Sequence, residues 1–222
     1  MRTELRWMTE RRPNLPCLVL ASALGTSPGS VFGPLLPDLA VGCNVLGVVM
    51  PGHTSFQAVE SEFHLEDVAK EVREHLVELG VSRYFFAGLS IGSAVGVTLA
   101  ALNAVHPQLQ GLVLMGALPR YGSPSVWEER AKRVRDSGVG WLRDFLSPRW
   151  FTAQLRAEHP DWVEAVLADV EKCHPDGYAA SCLALADYDA RELLARITVP
   201  TSVVIGLNDE VAPPPQALAL AA

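Results

Sequence analysis

The sequence predicts an α/β domain built on a mostly parallel sheet, and two patterns predict it. Short apolar runs recur along the chain with helical stretches between them. The runs lack polar alternation, as strands do when both faces of their sheet are covered. Thr3-Glu4-Leu5-Arg6-Trp7-Met8 suits an antiparallel edge strand at the start. Leu18-Val19-Leu20-Ala21 is the first strong apolar run and Asn44-Val45-Leu46-Gly47-Val48-Val49 the second. Between them Phe32, Leu35, Leu36 and Leu39 fall at helical spacing. Leu65, Val68, Val72, Leu76 and Leu79 then form an amphipathic stripe, which Gly80 ends. Tyr84-Phe85-Phe86-Ala87 supplies a third strand, Leu112-Val113-Leu114-Met115 a fourth and Ser202-Val203-Val204-Ile205 a fifth.

The alternation breaks from about Tyr121 to Arg196, where only helical pattern remains. Of the five tryptophans, Trp127, Trp141, Trp150 and Trp162 lie there. The expected division is therefore a core of 1–119 and 197–222 with a helical insertion at 120–196. An insertion after the fourth parallel strand sits over the carboxyl ends of the sheet, where open α/β sheets bind ligands. It reads as a lid, with most of its indole rings used in packing.

Composition narrows the function. The 222 residues carry a net charge of −7, which argues against a nucleic-acid partner, since phosphate binding needs a basic patch. Met1 to Pro13 is charged and lacks a signal-peptide core, and no apolar run reaches the length of a membrane span. Cys17, Cys43, Cys173 and Cys182 are scattered without a CxxC pair, so packing thiols are expected rather than a disulfide or a metal site. The expectation is a soluble cytoplasmic protein.

Chemistry concentrates at Gly88-Leu89-Ser90-Ile91-Gly92. Ser93 to Ala100 follows as a small-residue helix. Gly-x-Ser-x-Gly between a strand and a helix is the nucleophile elbow, in which a strained turn lifts the serine hydroxyl clear of the sheet. Ser90 is thus the expected nucleophile of an acyl-transfer reaction. Asp209, in Gly206-Leu207-Asn208-Asp209, falls just past the fifth parallel strand, where the chain order Ser, acid, His puts the acid. Its task would be to orient an imidazole and stabilise it when protonated. The oxyanion needs two N–H donors. Ile91, the residue after the serine, is one candidate, and Leu24 in Ser22-Ala23-Leu24-Gly25-Thr26 is the other.

With these segments in view, the chain resembles the α/β-hydrolases, and among them the 3-oxoadipate enol-lactonases of aromatic catabolism. The resemblance runs through Ala23-Leu24-Gly25-Thr26 with Phe32, Pro51-Gly52-His53 and Gly88 to Gly92. It continues in Arg149-Trp150-Phe151-Thr152, Pro175-Asp176-Gly177-Tyr178-Ala179, Ile197 to Thr201 and Gly206 to Asp209. It implies an α/β-hydrolase fold and water-driven opening of the enol-lactone in the β-ketoadipate pathway, without metal or cofactor. The partner it implies is a small, carboxylate-bearing ester or lactone. For that carboxylate Arg133, Arg149 and Arg120 are the candidate cations, with Trp141 and Trp150 as apolar walls.

The chain departs from this family at several points. Ser93 stands where members usually carry a second glycine, and Met50-Pro51-Gly52-His53-Thr54 replaces the usual Asp-x-Arg/Pro-Gly-His-Gly. The sequence also stops soon after Asp209. Reaching a histidine beyond the acid takes another helix and strand, roughly 20–30 residues at typical lengths. The expectation is therefore a fold whose last strand and helix are missing. Of His53, His64, His75, His106, His159 and His174, none follows Asp209, and His53 is implied to structure its loop. A serine without a base is a poor nucleophile at neutral pH, so impaired turnover is expected. The rivals are another enzyme of the same fold (a carboxylesterase, a carbon–carbon bond hydrolase or a cofactor-free perhydrolase), a non-catalytic binding protein and a gene fragment.

Overall fold

The computed structural model describes residues 3–53, 62–102 and 107–220; His106 lies outside the described residues. Each expected apolar run becomes a strand: β1 Glu4–Trp7, β2 Cys17–Ala21, β3 Asn44–Val49, β4 Arg83–Leu89, β5 Gln108–Met115 and β6 Thr201–Val204. They form a six-stranded sheet in the order β1-β3-β2-β4-β5-β6. β1 pairs antiparallel with β3, and every other pair is parallel. β3 is buried along its whole length, as its unbroken apolar run requires. β5 starts before the apolar run, because Gln108 pairs with Arg83 across a register shift at Tyr84/Phe85.

The helical stretch after β2 is divided. α1 Pro28–Phe32 gives way to a 3₁₀ turn at Gly33–Leu35 and then α2 Leu36–Gly42. Pro34 and Pro37 have no N–H for a continuous ladder, so one apolar period is carried by separate turns. α3 Leu65–Glu78 buries Leu65, Val68, Ala69, Val72 and Leu76. Asp67 accepts from His64 N–H at its start, and Gly80 (φ +70°) follows its end. α4 Ile91–Ala101 is buried all round, as its small residues anticipate.

Between β5 and β6 the chain is helical: α5 Pro124–Ser137, α6 Leu142–Trp150, α7 Ala153–Glu158, α8 Pro160–Glu171 and α9 Pro175–Asp187. α8 and α9 settle on the loops that follow β2 and β3. Trp162 Nε1 donates to Ser30 O at 2.8 Å, and Asp169 accepts from both N–H and hydroxyl of Ser27, the cap of α1. His174 N–H donates to Gly52 O at 3.0 Å.

The two faces of the sheet are unequally covered. One carries α3, α4 and the main core, which runs on into α5, α6 and α9 through Ala131, Val134, Leu142 and Tyr178. The other is covered by α1 and α2 around Leu20, Phe32 and Val45. Over β4, β5 and β6 that second face stays open: Phe85 is 43% exposed and Val204 51%. No described helix is long and apolar enough to cross a membrane, and the four cysteines are free.

Candidate active site

The chain leaves β4 through a turn that only its own sequence permits. Ser90 has φ 56° and ψ −119°, a strained conformation for a residue with a side chain. The flanking glycines allow it. A Cβ at Gly88 would stand 2.2 Å from Gly92 O, and one at Gly92 would stand 2.3 Å from Ala21 O. Ser90 N–H donates to Met115 O at 2.9 Å, tying the turn to the end of β5. Its carbonyl accepts from Tyr121 OH at 2.8 Å and starts α4 by accepting from Ser93 and Ala94 N–H. The Ser90 side chain is half-buried and has no hydrogen-bond partner among the described residues.

Ser93, expected only as a departure from glycine, is part of this lock. Its buried hydroxyl donates to Gly88 O (2.6 Å) or Met115 O (2.9 Å) and accepts from Met115 N–H at 3.1 Å. One side chain therefore joins the strand before the elbow, the helix after it and the neighbouring strand.

Asp209 lies in the loop after β6. Its Oδ1 accepts from Val211 and Ala212 N–H, both at 2.8 Å, so the carboxylate shapes its own turn. The other oxygen approaches the elbow, 3.6 Å from where a Gly116 Cβ would stand. Gly116 follows Met115, the acceptor of Ser90 N–H. Burial pushes the Tyr121 phenol above the ordinary tyrosine range, and the Asp209 charge adds to the shift. Ser90 and Asp209 thus share Tyr121 and the end of β5 as common neighbours.

The loop after β2 is held from above by the helical insertion. Gly25 (φ +84°) receives the Tyr178 ring, which would stand 3.0 Å from a Cβ there. Cys173 Sγ faces Gly25 O at 3.4 Å and His53 O at 3.5 Å, and burial pushes its thiol up to about 12. Leu24 and Ile91 are buried. Neither of their N–H groups donates a hydrogen bond among the described residues, and Ile91 opens α4 directly after Ser90.

Of the arginines and tryptophans singled out in the sequence, Arg133, Trp141 and Arg149 are joined through Phe145 on α5 and α6, whereas Arg120 and Trp150 lie apart from them. Arg133 is exposed and stacks on Trp141, 3.7 Å from guanidinium to ring centre. Arg149 is exposed and lies over Phe145 at 5.1 Å. Trp150 is half-buried against Phe151, and Arg120 is exposed beside Asp189. Sequence reasoning missed Arg130, which lies half-buried between Trp127 and Phe145, 4.6 and 5.0 Å from their centres. Trp127 Nε1 donates to Tyr121 O, linking Arg130 and its aromatic partners to the residue whose hydroxyl holds Ser90 O. The pattern Trp127-x-x-Arg130 on one helical face was the available signal.

The described histidines have other partners. His53 is buried, its Nδ1 sits 3.1 Å from Pro51 O, and burial lowers its imidazole to about 4. His64 faces Asp187 at 3.3 Å. His174 Nδ1 accepts from Asp176 N–H. His75 lies on α3, and His159 caps α8 from an exposed position. None of them hydrogen-bonds Ser90 or Asp209.

A strand–Gly-x-Ser-x-Gly–helix turn at the carboxyl end of a mostly parallel sheet is the mark of one family, and a family profile described as alpha/beta hydrolase fold matches residues 16–222. The chain belongs to the α/β-hydrolase family. Within that family it is similar to the enol-lactonase from Burkholderia xenovorans LB400, known from its crystal structure. The two share 32% identity and a TM-score of 0.92 over 99% of this chain and 83% of that one. It is 26% identical over 209 residues to 3-oxoadipate enol-lactonase 2 of Acinetobacter baylyi, covering 93% of this chain and 76% of the relative. The pimeloyl-[acyl-carrier protein] methyl ester esterase of Aromatoleum aromaticum is also 26% identical, over 217 residues, 90% of this chain and 82% of its own. Family membership is therefore shared by relatives named for different esters.

Proposed function

We propose that the chain is a serine-dependent hydrolase of carboxylic esters and lactones, most like the enol-lactonases that open 3-oxoadipate enol-lactone. The observation that carries this reading is the Ser90 turn: φ 56° between two glycines that admit no Cβ. In the proposed mechanism Ser90 Oγ attacks the ester carbonyl. The N–H groups of Ile91 and Leu24 hold the oxyanion, and the enol or alcohol oxygen leaves with a proton. Water then cleaves the acyl-serine. Asp209 Oδ2 is the group that would hold an imidazolium in place. The insertion acts as a lid, and its Arg133, Arg149, Arg130, Trp141 and Trp150 meet a substrate carboxylate. As the enol-lactonase resemblance implies, the substrate is a small molecule and the reaction takes no cofactor, and the charged start of the sequence favours a cytoplasmic setting.

No described imidazole meets Ser90 or Asp209, so among the described residues the proton of Ser90 meets no general base, and the reading expects slow turnover from these 222 residues. The same observation favours a second reading, a non-catalytic binding protein on this fold. Fluorophosphonate labelling and hydrolysis of the enol-lactone with increasing free imidazole separate the two. The enzyme reading expects labelling of Ser90 that is lost in Ser90→Ala. It also expects a lactone rate that climbs with imidazole in the native chain above its rise in Ser90→Ala. An unlabelled serine with equal imidazole dependence in both proteins overturns it.

A further inference from the structure

The Ser90 carbonyl receives more hydrogen bonds than its own satisfaction requires. It accepts from Ser93 N–H at 2.8 Å and from Ala94 N–H at 3.1 Å, which already occupy the two lone pairs of a carbonyl oxygen. Tyr121 OH is a third donor, at 2.8 Å. That oxygen is one end of the Ser90–Ile91 peptide, and Ile91 N–H is the other. We propose that Tyr121 is a positioning residue for the oxyanion site: its hydroxyl polarises and orients this peptide, making Ile91 N–H a stronger donor to the developing oxyanion. The role rests on the proposed attack by Ser90 and on Ile91 N–H as an oxyanion donor.

The peptide group itself carries the effect. Resonance couples its oxygen to its nitrogen. A hydrogen bond given to the oxygen therefore draws electron density from the N–H and strengthens it as a donor, more so where the dielectric is low. Ile91 is fully buried and opens α4, where an N–H has no partner within the helix. It donates no hydrogen bond among the described residues, so the strengthened N–H is free for substrate.

Tyr121 is held in place for this bond. Its ring lies against Tyr188, with centres 5.9 Å apart, and its own carbonyl accepts from Trp127 Nε1. Both ends of the helical insertion thus fix one phenol beside the elbow. A buried tyrosine hydroxyl needs an acceptor, and Gly116 O stands at 3.5 Å, so the bond to Ser90 O is the strong one. Burial raises the phenol above its ordinary range, against the pull of the Leu118 backbone and with the Asp209 charge adding to the rise. The hydroxyl therefore keeps its proton at neutral pH and stays a donor.

The test is the kinetics with which a fluorophosphonate labels Ser90. Its phosphoryl oxygen takes the oxyanion position as the Ser90 Oγ–P bond forms and fluoride leaves. Tyr121→Phe removes the hydroxyl and keeps the ring on Tyr188. The expected maximal labelling rate is about fivefold lower, the worth of one ordinary hydrogen bond, at an unchanged half-saturating probe concentration. Loss of an oxyanion donor itself costs roughly a hundredfold or more. Tyr121→3-fluorotyrosine makes the phenol a stronger donor and should raise the maximal rate above the native one, a gain that packing alone does not give. It also keeps the test open should Tyr121→Phe unfold, which thermal melting checks. Equal maximal rates in the native chain and both variants overturn the role while leaving Ser90 as the nucleophile. So does a fluorotyrosine chain no faster than the native one, or a Tyr121→Phe effect confined to the half-saturating concentration. A native chain whose Ser90 takes no label overturns the nucleophile reading, and this role with it.

Discussion

Two loops meet at the carboxyl end of the sheet, and they are built with very different security. The Ser90 turn lies between central strands. Its backbone is pinned by Met115, Tyr121 and Ser93, and its glycines are in contact with neighbouring backbone. The Asp209 loop follows β6, which among the described residues pairs with β5 alone and is exposed along most of its length. Leu207 beside it is 90% exposed, and the loop is held chiefly by bonds that Asp209 makes to its own turn. A strained serine persists only where its surroundings over-determine it, whereas a carboxylate in a self-made turn needs little from outside. The serine side is therefore rigid by tertiary packing and the acid side by local chemistry.

Substitution at the two glycines should separate them most sharply. Gly92→Ala places a methyl 2.3 Å from Ala21 O, and we expect a loss of about 3 kcal/mol or more in urea unfolding, at the top of the usual overpacking range. Gly206→Ala meets nothing nearer than Asp209 Cβ at 3.6 Å and should change stability by less than about 0.5 kcal/mol, as surface substitutions do. Comparable losses at both positions would break the comparison.

The next effect lies under the insertion that holds the loop after β2. Burial lowers His53 to about 4 from its ordinary 6.5, outweighing the opposing pull of the Pro51 carbonyl and the Asp169 charge. Between those values the unfolded chain binds a proton that the native chain does not. Stability is therefore complete above pH 6.5 and declines as the pH falls toward 4, by roughly 3 kcal/mol for a shift of this size. Urea midpoints at pH 7 and pH 4.5 should draw together in His53→Gln relative to the native chain. An unchanged gap would remove His53 from the account.

The smallest contrast compares the two side chains that tie each loop. Ser93→Ala breaks a buried hydroxyl's links to Gly88 and Met115 and should cost about 2 kcal/mol. Asp209→Ala breaks two half-exposed backbone bonds and should cost about 1 kcal/mol. Chemical denaturation reads both, and the reverse order would show that the acid loop is the better anchored one.

Much of the fold was legible because its signals are local. Unbroken runs such as Val45 to Val49 can be satisfied only inside a sheet, and the stripe from Leu65 to Leu79 fits only one helical face. The division of α1 from α2 was also written in Pro34 and Pro37, yet the apolar period alone concealed it. Ser90 was legible for the same reason as the strands, since Gly88 and Gly92 mark a turn that tolerates no Cβ. Tyr121, Arg130 and Ser93 were not legible. Each matters through partners distant in the chain: Tyr121 through Ser90 O, Arg130 through Trp127 and Phe145, Ser93 through Met115.

The sequence by itself determined the mostly parallel sheet, the strained turn at Ser90 and an aspartate in the loop after β6, because periodicity, glycine spacing and turn chemistry act over a few residues. Tertiary structure decided which groups surround them. It left Phe85 and Val204 exposed, seated Tyr178 on Gly25 and turned His53 into a buried ring whose burial disfavours the proton. Those outcomes depend on how helices from distant parts of the chain cover the sheet, and burial and pairing are properties of that arrangement, not of any short segment.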